Sequence, residues 1–354
     1  MASGPLDGVT VLEQIIAGPY ACAHLADMGA EVIKVEPPDG EPWRLAQQYM
    51  PGESKWFHQL NRGKRSLELK LDEPEAQEIV KRLVPKVDVV VINYRPDVAA
   101  RLKIDYESLR EFNEQLIYVD NTGFGRKGPW AHRPGYDSVA QAASGLLAGE
   151  GKLDEDGQPI QITSTSLADY ATGIGVCEAL FNRERTGQGK YIESTLLRTA
   201  MQFQMERVTR VPAADAANET RMAHLHERRD AGAAYPELLE LYDPRKVSSA
   251  VNSVYRAYST KDGALAIGAL SASLRAKVWT AIGTDYLGAD DPEFDLENPE
   301  WVQRGVTAVH AIEETMKSKT TAEWMEIFDR EGVPAGPVNF AEEIAAMHEP
   351  GILG

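Results

Sequence analysis

AGPYACAHLADMGAEVIKVE, residues 17–36, decides the fold of this chain. Just upstream, Val9, Val11 and Leu12 make a short apolar run suited to a buried strand, and Gly18-Pro19 interrupts it. Tyr20 to Met28 follows with helical spacing, which puts Ala21, His24, Leu25 and Met28 on one face. Gly29 stands where a helix C-cap favours a left-handed residue. Glu31 to Glu36 is the next strand, with Val32, Ile33 and Val35 turned inward. This is a β-α-β unit, whose default geometry is a right-handed parallel crossover. A dinucleotide site would place several glycines in its first turn, where phosphate approaches the helix N-terminus. Ile16-Ala17-Gly18-Pro19 has a single glycine and a proline. The unit is Rossmann-like without the dinucleotide fingerprint.

The same alternation continues to about residue 200. Glu75–Leu83 is predicted as a helix opened by Glu73-Pro74. VDVVVIN (Val87–Asn93) and LIYVDN (Leu116–Asn121) are continuous apolar runs, as parallel strands buried on both faces should be. Tyr136–Ala148 and Leu167–Arg185 are predicted helices and Lys190–Thr195 a strand. Together they predict a doubly wound α/β domain over residues 1–200. Arg210–Glu237 is polar and alanine-rich without an apolar period, so residues 201–225 are expected to be a linker. Val254–Leu270 is predicted as a hairpin turning at Lys261-Asp262-Gly263. Helices follow at Ser273–Ile282, Val302–Lys317 and Thr320–Glu331, giving a smaller α+β domain over 226–328. Residues 329–354 are expected to return to the large domain.

Composition narrows the function. A chain of 354 residues with 43% hydrophobic and 26% charged residues is an ordinary globular protein long enough for two domains. No apolar run reaches the roughly 20 residues a membrane span needs, and MASGPLDG lacks the features of a signal peptide. Cys22 and Cys177 both lie in apolar helical contexts and are expected as buried thiols in a reducing cytoplasm. A net charge of −17 argues against nucleic acid and anionic membranes as partners.

Beyond the opening unit, the chain carries NRGKRSLELKL (Asn61–Leu71), VVVINYRPDVAAR (Val89–Arg101), GYDSVAQAASGL (Gly135–Leu146) and LADYATG (Leu167–Gly173). RTGQGKYIE (Arg185–Glu193) and GVPAGPVN (Gly332–Asn339) complete the series. In these blocks and their order, over most of its length, the chain resembles the family III CoA-transferases, which move coenzyme A between carboxylic acids. The resemblance implies an acyl-CoA and a small carboxylic acid as substrates, with no permanently bound cofactor and no metal. It also implies a ring-shaped subunit in an interlocked homodimer, with the large domain receiving the C-terminus back. Relatives continue well past the GPVN block, whereas fifteen residues follow Asn339 here.

The resemblance makes Asp169 the nucleophile, in a motif with a glycine four residues on. By itself, an acid at the start of a helix reads as a capping or dipole-stabilised residue. Tyr136 and Gln141 of GYDSVAQ are implied to line the active site. Acyl-CoA racemases on the same scaffold have histidine where Tyr136 stands, and they need an acid–base pair at the substrate carbon. A racemase, or a CoA-binding relative without catalysis, is the alternative. CoA contacts implied by motif are Ile16, Ala17, Leu69, Leu71, Asn93, Tyr94 and Arg101, although Leu69 and Leu71 equally suit plain strand packing. CoA is a polyanion in an acidic protein, so local cations are needed. Candidates are Arg62, Lys64 and Arg65, then Arg95 and Arg101, then Arg126, Lys127, His132 and Arg133, which also suit a second carboxylate on the acid. Pro37 stands where many relatives have arginine, with Arg44 a displaced substitute. The glycine-rich loop of some relatives has no counterpart between Asp243 and Val254.

Overall fold

A computed structural model describes residues 4–14, 19–150, 154, 158–160, 167–242, 253–284, 288–293, 295, 298–340 and 343. The chain divides into two compact units, Met1–Leu239 and Glu240–Gly354.

The first unit is built on a six-stranded, wholly parallel sheet of β1 (Thr10–Gln14), β2 (Glu31–Glu36), β5 (Arg65–Glu68), β6 (Val89–Ile92), β7 (Ile117–Thr122) and β8 (Lys190–Thr195). A short hairpin, β3 (Gln48–Met50) with β4 (Glu53–Ser54), lies in the connection between β2 and β5. Strand order is β5-β2-β1-β6-β7-β8, so the direction of winding reverses beside β1. Side chains alternate between the faces. Leu12, Val90, Ile92 and Tyr118 pack with Ala76, Val80, Ala99 and Leu109 from the helices Pro74–Leu83, Pro96–Arg101 and Tyr106–Arg110. Val11, Val32, Val89, Val91, Ile117 and Val119 face the opposite way. They pack with Cys22 and Leu25 of the helix Pro19–Asp27 and with Val176, Ala179 and Leu180 of the helix Leu167–Thr186. Helices therefore cover both faces, the reason the central strands read as unbroken apolar runs. This is the doubly wound α/β architecture that the alternation predicts.

Gly29 has φ +101°, closing the first helix in the left-handed region expected of it. The predicted helix over Tyr136–Ala148 is instead two, Asp137–Ser144 and Leu146–Glu150, because Gly145 at φ +84° ends the first. The stretch without an apolar period contains a helix, Pro212–Asp230, with proline in its first turn and most described side chains exposed. Its missing apolar stripe follows from having little to bury.

In the second unit β9 (Tyr255–Ser259) and β10 (Ala264–Gly268) form the predicted hairpin, and β11 (Ala335–Pro337) adds to β10 antiparallel. Thus Ala335–Pro337, inside the segment expected to return to the large domain, pairs within this unit. Helices Ala272–Ile282, Pro299–Met316 and Thr321–Glu331 cover the sheet through Val278, Ile312, Trp324 and Phe328. Thr320 and Glu323 cap the last helix reciprocally, which explains the sharp start of the sequence pattern there. Among the described residues no helix is long and apolar enough to cross a membrane.

Candidate active site

In an open parallel sheet, ligands bind outside the carboxyl ends of the strands, where the winding reverses. Here that edge gathers Gln14 at the end of β1, Glu36 at the end of β2, Leu69 after β5, Asn93 and Tyr94 after β6, and Thr122 at the end of β7. The helix Leu167–Thr186 precedes β8 and must run back against the parallel strands, so its N-terminal end lies toward the same edge. Asp169 is in its first turn, although its side chain is outside the described set. A Cβ placed on Gly173, one turn on, meets nothing within 4 Å among the described residues. Thr172 is fully buried, and its hydroxyl finds no partner among the described residues.

Other sequence-derived candidates are placed as follows. Ile16 and Ala17 lie outside the described residues, as does the 243–252 stretch without a glycine-rich loop. Leu69 and Leu71 are buried in the core against the sheet, so their side chains act as packing. Tyr94 is half-buried against the same core, and burial pushes its hydroxyl above the ordinary phenol range. Asn93 is beside it, half-buried. Arg101 is exposed and makes no ion pair among the described residues. Gln141 is buried and donates to Asp137 Oδ2 at 3.1 Å. Tyr136 is 69% exposed at the N-cap of the helix Asp137–Ser144, with its ring turned outward rather than into a core.

Tyr136 is placed by a pinched loop. After β7 the chain leaves at Gly123 and returns at Gly135, and a Cβ on either glycine would stand 2.9 Å from the Cα of the other. The neck closes only because neither residue has a side chain, and this holds Tyr136 next to the end of β7. Gly123→Ala or Gly135→Ala is expected to cost about 1–3 kcal/mol through overpacking, read as a lower urea midpoint. An unchanged midpoint would mean that the neck opens freely.

The cations are mostly committed within the protein. Arg62 pairs with Asp27, Arg65 with Glu31 and Arg95 with Asp97. Arg44, the displaced substitute for a cation at Pro37, is engaged within the protein. Its fork is bidentate to Glu36 at 2.9 and 3.0 Å, Ser66 donates to the same carboxylate, and Phe57 lies 3.7 Å beneath the guanidinium. Burial opposes ionisation of Glu36, but the Arg44 and Ser66 hydrogen bonds prevail and hold its carboxyl below the ordinary range. Arg126 is paired with the fully buried Asp120, to which Tyr191 also donates at 2.8 Å. Lys127 lines a cavity of about 520 Å³ together with Arg126, Arg198, Tyr106, Tyr191, Asp105, Glu107 and Glu193. Arg133 lies over the Trp130 ring, 5.0 Å from its centroid.

Sequence reasoning missed a buried charge network. Glu13, Lys34, Glu41 and Lys64 expose 3% or less of their side chains. Lys34 Nζ sits 2.7 Å from Glu13 and 2.9 Å from Glu41, while Lys64 Nζ sits 2.6 Å from the other Glu13 oxygen. Asn61 donates to Glu41 at 2.6 Å. The signal was available. Glu13 and Lys34 are register partners on β1 and β2, on the face where Val11 and Val32 are buried. A charge at an inward position of a buried strand requires a partner.

The sequence profile of CoA-transferase family III matches residues 6–351. The chain belongs to CoA-transferase family III. It is 31% identical to the acetyl-CoA:oxalate CoA-transferase of Acetobacter aceti, over 97% of this chain and 83% of that protein. It is 32% identical to the succinyl-CoA:glutarate CoA-transferase of Mus musculus, over 96% of this chain and 73% of that one. Among solved structures it is similar to Rv3272 of Mycobacterium tuberculosis, with TM-score 0.71 and 27% identity, covering 98% of this chain and 87% of that one. A CAIB/BAIF family protein from Brucella suis matches at TM-score 0.70 and 31% identity, over 98% of this chain and 87% of that one. As a family III CoA-transferase the protein works on CoA thioesters, and the carboxyl edge just described is where its active site is sought.

Proposed function

We propose that this protein transfers coenzyme A from an acyl-CoA to a small dicarboxylic acid through covalent intermediates on Asp169. The observation that carries the reading is family membership along nearly the whole chain, joined to the place of Asp169 in the first turn of a helix at the carboxyl edge. A helix N-terminus favours the ionised carboxylate, the nucleophilic form. The relatives' names supply the acids, oxalate and glutarate, both dicarboxylates. The cytoplasmic homodimer is part of the same reading.

The steps balance without ATP or metal. The Asp169 carboxylate attacks the donor thioester carbonyl and expels CoA thiolate, leaving a mixed anhydride. The thiolate attacks the aspartyl carbonyl of that anhydride, releases the donor acid and leaves an aspartyl-CoA thioester. The acceptor carboxylate attacks this thioester, forms a second anhydride and frees the thiolate again. Attack of the thiolate on the acceptor's carbonyl makes the new acyl-CoA and restores Asp169. Both anhydrides hydrolyse readily, so the reaction needs water excluded from the site. Tyr136 and Gln141 are assigned to its lining, and Asn93, Tyr94 and Arg101 to CoA.

The test is intact and peptide mass spectrometry of the protein mixed with succinyl-CoA and quenched with hydroxylamine. A hydroxamate on the peptide containing Asp169 is expected. A protein that exchanges CoA between acids without any adduct at Asp169 would sink the covalent assignment. Faster transfer to monocarboxylates than to dicarboxylates would overturn the choice of acid.

A further inference from the structure

We propose that the cavity of about 520 Å³ beside β8 binds a small zwitterion, an α-amino acid with an apolar side chain. Its volume falls within the roughly 300–1,000 Å³ of small-molecule sites. β8 is the outermost strand of the sheet, and its register with β7 sets Tyr191 beside Tyr118 and Glu193 beside Asp120. Tyr118 belongs to the face that packs on the helices Pro74–Leu83, Pro96–Arg101 and Tyr106–Arg110. Ile117 and Val119 point the other way, toward the helix Leu167–Thr186. The cavity and the helix of Asp169 are therefore on opposite faces of the sheet.

Local structure brings the lining together. Gly125, at φ +85°, turns the chain after β7 back so closely that a Cβ there would stand 3.3 Å from Glu193 Oε1. The Arg126 amide donates to Glu193 Oε2 at 3.3 Å, which holds Arg126 and Lys127 beside the outer strand. Asp105 caps the helix Tyr106–Arg110 by accepting from the Ser108 amide at 3.3 Å, and the Tyr106 and Tyr191 ring centroids are 5.3 Å apart. Behind the lining, fully buried Asp120 pairs with Arg126 and accepts from the Tyr191 hydroxyl. Asp120 Oδ1 and Arg126 Nη2 have no hydrogen-bond partner among the described residues, polar capacity that the protein itself leaves unused.

The charges select the ligand. Arg126, Lys127 and Arg198 are balanced by Asp105, Glu107 and Glu193. A simple anion meets three carboxylates there and a simple cation meets three bases, whereas a zwitterion offers each sign its complement. Lys127 is exposed and makes no ion pair among the described residues. Glu107 is 78% exposed and pairs with Arg110 at 3.5 Å, a loose contact. These two are the charges most open to a ligand, Lys127 for its carboxylate and Glu107 for its ammonium. Tyr106 and Tyr191 offer ring surface to its apolar side chain.

The experiment is isothermal titration calorimetry of the full chain with L-phenylalanine and L-leucine. Two truncated analogues accompany them, 3-phenylpropionate without the ammonium and phenethylamine without the carboxylate. Saturable binding of at least one amino acid is expected, about tenfold or more tighter than either analogue. Lys127→Met and Glu107→Gln should each weaken that binding about tenfold. Both side chains are exposed, so the urea midpoints should stay at the wild-type value, and if one variant fails to fold the other decides. Saturating succinyl-CoA should leave the amino-acid affinity within about twofold, as for uncoupled sites. No saturable binding of either amino acid, equal binding of 3-phenylpropionate, or full affinity in the folded variants overturns the zwitterion site. Displacement by succinyl-CoA overturns it too, because the cavity would then belong to the acyl-CoA.

Discussion

Asp169→Asn is expected to lower CoA transfer by about 10³-fold or more, because the amide keeps the shape of the carboxylate and loses its nucleophilic oxygen. The fold should survive. Asp169 is on the first turn of the helix Leu167–Thr186, whose packing is carried further along by Val176, Ala179 and Leu180. The stability lost with the charge is that of one acid at a helix N-terminus, about 0.3–1 kcal/mol. Binding of the acyl-CoA should persist, since the residues assigned to CoA lie on other elements. The expected pattern is therefore kcat near background, near-normal donor affinity by calorimetry, and no hydroxylamine-trapped adduct. Turnover within about tenfold of wild type would place the nucleophile elsewhere. Loss of both folding and activity would leave Asp169 a structural acid rather than a reactive one.

Lys34→Met is expected to destabilise the first unit by about 3–5 kcal/mol, the effect of removing one partner from a buried ion pair. Lys34 is 2% exposed and stands between Glu13 and Glu41, which are buried to the same degree. Methionine fills the space and leaves two buried carboxylates, with Lys64 the remaining cation on Glu13 and Asn61 the remaining donor to Glu41 among the described residues. Glu41→Gln, which keeps Lys34 paired with Glu13, should cost distinctly less. The pH dependence has a defined sign. Burial by itself lowers the Lys34 pKa, but attraction and hydrogen bonds from Glu13 and Glu41 outweigh it and raise the pKa above its ordinary value of 10.5. A raised folded-state pKa means that the contribution is complete below the unfolded value and lost as pH rises through the folded one. Urea titrations at neutral pH and at increasing alkalinity should show the wild-type advantage over Lys34→Met narrowing toward the alkaline end. A loss under about 1 kcal/mol, or a gap widening with pH, would contradict this account of the network.

Much of the site's framework was legible because it depends on local rules. VVVI in β6 (Val89–Ile92) and IYV in β7 are apolar on both faces, and only a strand covered twice requires that. Gly29 marks a helix end through short-range geometry. Side-chain partners were not legible in the same way. Leu69 and Leu71, carried over as CoA contacts, turn their side chains into the core. Arg62, Lys64 and Arg65 read as a basic cluster, yet each is joined to an acid distant in sequence, Asp27, Glu13 and Glu31.

By itself the sequence determined the β-α-β opening, the parallel doubly wound sheet, the second-unit hairpin and helices, and the family. It could do so because hydrophobic period, turn residues and motif order are properties of neighbours along the chain. Tertiary structure alone decided that Lys64 links Glu13 to Pro19, that Arg44 serves Glu36, and that Gly123 and Gly135 close the loop carrying Tyr136. Those pairings join residues far apart in sequence. Their existence depends on strand register and on loops returning to within hydrogen-bond distance, which only the packed chain sets.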